Sequence, residues 1–157
     1  MKFAAQMILL LGSIFLSGCG VLGSMNGTSH IDKFQPFKNY VGTPLELKRP
    51  AYLIVEKRLF FDDYFLASEE LKKPDPNFTI ALSPGTTILL HSISCYNDFE
   101  AGDYFDVKGE VVLPQKGKVQ FEYIWGYGVI ERAPWESMDV PEKRGWNDKI
   151  KKLVPIN

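Results

Sequence analysis

The chain has 157 residues, with 18 basic and 19 acidic side chains and a formal charge of −1, which is room for one domain and little more. A hydrophobic fraction of 45% and a charged fraction of 24% belong to a folded protein and exclude disorder over the whole length. The near-balance of charge excludes a strongly basic nucleic-acid binder, because counterion release needs a surplus of Lys and Arg.

In chain order, Lys2 comes first, and residues 3–16 are apolar apart from Gln6 and Ser13. As a helix that stretch is about 21 Å long, short of the roughly 30 Å hydrocarbon core of a bilayer. Residues 1–18 therefore read as a secretory signal rather than a membrane span. They lead into Leu16-Ser17-Gly18-Cys19. At these four residues the chain resembles the bacterial lipoproteins, whose lipobox is an aliphatic residue, two small residues and a cysteine directly after a short apolar leader.

The resemblance implies that a diacylglycerol is transferred to the sulfur of Cys19 and that a dedicated peptidase cuts before it. Cys19 becomes the lipidated first residue of the mature chain, with its new amino group acylated in many Gram-negative species. It also implies a destination: Gly20 stands where an aspartate commonly retains such proteins in the inner membrane, so the outer membrane, facing the periplasm, is expected. The chemistry suits the residue, since a thiolate is a strong nucleophile near neutral pH. One acyl chain holds only marginally, whereas two or three make a lasting anchor.

Residues 19–33 read as a flexible, lipidated tether of Gly, Ser, Asn and Thr, with a reach of about 20 Å. A single β-rich domain with a C-terminal tail is expected over 34–157. Strands are predicted over 44–48, 51–57, 78–82 and 86–96. Residues 59–66 fit a strand or a helix, with Asp62-Asp63 in the middle, and 68–73 fit one helical turn. Ser83-Pro84-Gly85 is a turn signal, and 97–103 is a polar loop. Strands over 104–113 and 118–127 form the best-defined pair. Setting Leu113 opposite Val119 puts both apolar sets on one face, leaves Gln115-Lys116-Gly117 as a three-residue loop with Gly last, and lays Tyr123 over Gly109.

These elements predict a mainly β fold: a small antiparallel barrel or sandwich of about six strands. A short C-terminal helix is expected over 146–153, with Trp146, Ile150 and Leu153 on one side.

Chemistry-bearing residues are sparse. With Cys19 lipidated, Cys95 is the remaining thiol and reads as a buried small hydrophobe. His91 lies on its face of the predicted strand but about 13 Å away, too far for a Cys-His pair. His30 and His91 are too few and too distant for zinc, and Asp98, Glu100, Asp103 and Asp106 miss the spacing of a calcium loop around Gly102. The stripe Phe121, Tyr123, Trp125 and Tyr127 reads as core rather than as a sugar-stacking face. Trp135 and Trp146, among prolines and polar residues, are the candidate ligand contacts. Lys143, Arg144, Lys149, Lys151 and Lys152 make the tail basic and suited to a solvated face or an anionic surface. No nucleophile elbow, phosphate loop, dinucleotide fingerprint or zinc-protease motif is present, so no catalytic residue, metal or cofactor is assigned.

The expectation is a non-catalytic envelope lipoprotein that is held at the membrane by Cys19 and binds an envelope protein or peptidoglycan. Two alternatives stand beside it: an enzyme acting on envelope polymers through carboxylates, and a periplasmic immunity or inhibitor lipoprotein.

Overall fold

In the computed structural model, which describes residues 27–68, 75–98 and 102–145, alternating apolar residues set the strands. Ala51, Leu53 and Val55 are buried, and Tyr52 and Ile54 between them are half-buried, as a period of two requires. The strands are β1 (Gly27–His30), β2 (Pro44–Glu46), β3 (Ala51–Lys57), β4 (Asp62–Ser68), β5 (Thr79–Leu82), β6 (Thr87–Asp98), β7 (Gly102–Leu113), β8 (Gly117–Tyr127), β9 (Val129–Glu131) and β10 (Lys143–Gly145). A single turn of 3-10 helix, Phe37–Asn39, is the only helix among the described residues.

Eight strands make one mixed sheet in the order β1-β6-β7-β8-β4-β3-β5, with β2 also on β6, while β9 and β10 pair separately. Neighbours are antiparallel except β4 and β8, which meet in parallel at Phe65 and Glu122. The expected small antiparallel barrel or sandwich of about six strands is therefore corrected to a larger, open, mixed sheet. The ambiguous stretch 59–66 supplies β4, which inserts between β3 and β8, and β5 at one end of the sheet does not pair with β1 or β2 at the other.

The end of the segment expected as a tether, 19–33, is part of the fold. Gly27–His30 pair with Asn97 to Ser94 of β6, the amide of Ile31 donates to the Ile93 carbonyl at 2.9 Å, and the Ile31 side chain is buried. The polar letters Gly-Thr-Ser-His look like a linker, but their backbone groups are satisfied by β6. The signal peptide expected over 1–18, Cys19, Trp146 and the helix predicted over 146–153 lie outside the described residues, as do 69–74 and most of the predicted turn there.

The β7–β8 register differs by two residues from the predicted one. Val111 faces Val119 and Leu113 faces Gly117. The turn starts earlier, with the Lys116 amide donating to the Leu113 carbonyl at 3.3 Å. Pro114 then takes the second turn position, which its fixed φ suits, and Gly117 adopts φ +72. Both registers keep the same faces together, so alternation alone did not separate them. The ring over Gly109 is consequently Phe121: a Cβ on Gly109 would lie 2.6 Å from Phe121 Cζ.

One apolar cluster joins the inner faces of β3 to β8 with Ile31, Phe37, Leu47, Ile130 and Trp135. A bulge at His91, between Leu90 and Ser92, shifts the parity of β6, so Leu90 and Ile93 are both buried and His91 is exposed. His91 and Cys95 therefore do not share a face, as unbroken alternation had implied.

Candidate functional site

The two ends of the sheet differ in structure. The described chain enters at Gly27, opposite Asn97 and beside the β6–β7 connection. The β7–β8 turn lies at the other end of β7, whose 12 residues span roughly 36 Å.

At that far end a groove of about 790 Å³ opens between β5, the start of β6 and the end of β7. Ile80, Leu82, Ile88, Leu89, Val111, Val112 and Leu113 line it, with Glu110, Gln115 and Lys116 among its polar groups. Val112 is 67% exposed. Among the described residues the lining carries aliphatic side chains and no aromatic ring.

One wall of the groove is a sheet edge. The Val55 amide donates to the Phe78 carbonyl at 2.8 Å, which fixes the antiparallel alternation. Ile80 and Leu82 exchange bonds with Leu53 and Ala51 of β3, and Thr79 and Ala81 turn their amides and carbonyls outward. β5 is the last strand of the sheet among the described residues. The groove thus offers apolar surface together with backbone donors and acceptors.

The groove's carboxylate is firmly ionised. Glu110 accepts from Lys118 at 2.7 Å, from Gln120 at 3.1 Å and meets His91 Nε2 at 3.0 Å. The Lys118 bond above all holds its carboxyl down to about 2. Lys116 on the same rim donates to the Tyr64 hydroxyl at 3.1 Å, which raises its pKa.

The residues singled out in the sequence are placed differently. Trp135, expected as an exposed contact, is 5% exposed and packs edge-on against Tyr123 and Trp125, each at 5.2 Å. Its polar and proline neighbours misled, because Glu136 beside it is itself buried. That carboxylate accepts from Tyr40, Ala133 and both contacts of Arg144, so Arg144 of the basic tail points inward. Phe121, Tyr123 and Trp125 are core, and Tyr127 is exposed. Cys95 is fully buried. Asp103 accepts from Asn97 at 2.7 Å. Asp106 is buried, and burial first, then Glu122, pushes its carboxyl up. Among the described residues no group of His, Cys, Asp and Glu is arranged to hold a metal ion.

The sequence reading missed the edge character of β5 and the tip of the β3–β4 hairpin, where Leu59 and Phe60 are exposed. The tip had a signal: three large apolar residues, Leu59, Phe60 and Phe61, between Arg58 and Asp62 with no turn-forming residue among them. Comparison with known protein families, with curated proteins and with solved structures finds no match for this chain.

Proposed function

We propose that this chain is a lipid-anchored envelope protein, moored by Cys19 at the outer membrane and facing the periplasm. Its β domain binds a partner protein in the groove between β5 and the ends of β6 and β7. The observation that carries this reading is the aliphatic groove beside an open strand edge, at the end of β7 away from where the chain enters.

An extended peptide satisfies both features, adding main-chain bonds to the edge and side chains to the groove. A cell-wall glycan suits it less, because sugar rings stack on aromatic faces, and Trp135, the described candidate for that role, is buried. The role is binding rather than catalysis. Both oxygens of Glu110, the groove's carboxylate, are engaged by Lys118, Gln120 and His91, which suits it poorly to acid, base or nucleophilic work. The anchor adds effective concentration, since a tethered domain searches only the volume next to its membrane.

The test is a photo-crosslinking amino acid at Val112, in the full-length protein in its native envelope. A discrete adduct that a protease removes is the expected result. An adduct removed only by a muramidase would replace the protein partner with the wall, and no adduct at all would refute a binding groove.

A further inference from the structure

The β3–β4 hairpin ends in the apolar residues Leu59, Phe60 and Phe61. The Arg58 amide donates to the Phe61 carbonyl at 2.9 Å, so the turn closes on Leu59 and Phe60 alone. Two-residue hairpin turns favour Asn, Asp and Gly, which tolerate positive φ. Leu and Phe do nothing for such a turn, and water is an unfavourable place for them. They are nevertheless 94% and 94% exposed, Phe61 is 58% exposed, and Phe78 beside β3 is 47% exposed. Together these side chains bare on the order of 500 Å² of apolar surface.

We infer that this tip inserts into a phospholipid bilayer and gives the domain a membrane contact of its own. Three features favour lipid over a protein partner. Leu59 and Phe60 are bare on almost every side, and a flat protein surface covers one side whereas hydrocarbon surrounds all. The three acidic side chains near the tip are balanced by three cations: Asp63 and Glu56 share Arg58 at 2.6 and 3.8 Å, Asp62 meets Lys116 at 3.7 Å, and the exposed Lys57 supplies the third positive charge, so the tip has no net negative charge to repel anionic headgroups and Lys57 sits at the depth of their phosphates. The turn and its flanks reach about 7 Å beyond β3, which matches the 5–10 Å depth of the boundary between headgroups and acyl chains.

The sheet's twist makes this compatible with a lipid anchor. From β7 through β8 and β4 to β3 are three neighbour steps, and at about 20–25° each the hairpin leaves the β7 axis by roughly 60–75°. With β7 lying along the membrane, a tip inclined to it and a tether leaving from the other end of the sheet can both reach one bilayer. The identity of that bilayer rests on the anchoring proposed above; the contact itself does not.

The experiment places benzoylphenylalanine at residue 60, and separately at the exposed Met138 as a control, in the full-length protein in its native envelope. After illumination the adducts are weighed. The expected result is a gain of one phospholipid mass at residue 60 and none at 138. A protein adduct at residue 60, or none, overturns the inference. Lipidation of residue 19 is read from the same sample. A bare residue 19 with a phospholipid adduct at residue 60 defeats the anchor alone, and a lipidated residue 19 without that adduct defeats the insertion alone.

Discussion

Replacing Glu136 with alanine removes the acceptor on which three parts of the fold converge. Its carboxylate takes bonds from the Tyr40 hydroxyl at 3.0 Å, the Ala133 amide at 2.8 Å and Arg144 at 2.9 and 2.8 Å. Arg144 lies in β10 and also stacks 5.8 Å from the Trp125 ring, so this carboxylate fastens the β9–β10 pair to the aromatic core. Breaking a buried ion pair from one side costs about 3–5 kcal/mol, and a stranded buried amide about 1–3 kcal/mol. The Arg144 side chain keeps 23% of its exposure and can rehydrate, which favours the lower end. The expected loss is about 3–4 kcal/mol, or roughly 10–15 °C in Tm for a domain of this size. Urea unfolding followed by tryptophan fluorescence reads it directly, because Trp125 and Trp135 both pack in the core. Tyr40→Phe, which removes one bond, should cost about 1 kcal/mol. A loss below about 1 kcal/mol for Glu136→Ala would show that the cluster is rehydrated and does not hold the hairpin.

Gly109→Ala should destabilise by about 1–3 kcal/mol in the same assay, since the added Cβ meets Phe121 Cζ at 2.6 Å and the Leu89 carbonyl oxygen at 2.8 Å; an unchanged unfolding midpoint would contradict the observed register. Spectrophotometric titration should find Tyr40 ionising at about 12, pushed up by its burial and then by Glu136. A phenol raised in the folded state stabilises fully below its ordinary value near 10 and loses that contribution as pH rises through 12, so a Tyr40→Phe protein should lack this alkaline component. Glu110 is shifted the other way, from 4.5 to about 2. Its contribution is complete above 4.5 and fades as pH falls toward 2, and Glu110→Gln should flatten stability across that window; an identical acid slope in the variant would refute the pairing with Lys118 and His91.

How legible the fold was depended on the range of the interaction. β3 coincides with the predicted 51–57, and β6, β7 and β8 follow their predicted strands closely, because alternation and turn residues are local signals. Strand order is not local. That β4 pairs in parallel with β8 depends on residues far apart in sequence, and without it the strands looked like a small antiparallel barrel or sandwich. The hairpin register failed by two because such a shift preserves both faces, and only the preference of Pro114 for the second turn position separated the choices. Trp135 shows the same limit from the other side. Its neighbours Pro134 and Glu136 are surface-type residues, and the partners that bury Glu136 come from residues 40, 133 and 144. The groove was invisible for a related reason: an edge strand is defined by which strand is missing beside it, and Thr79–Leu82 reads like any other short strand.

The lipid anchor proposed at Cys19 moors the β domain to a membrane through one sulfur atom. Mass spectrometry of the mature protein from a bacterial envelope, combined with labelled palmitate, measures this most directly. The expected result is an amino terminus at residue 19 carrying diacylglycerol, and a Cys19→Ala protein that keeps its leader and takes up no label. An unmodified Cys19 in the natural product, or a leader still attached to it, would rule out the lipid anchor.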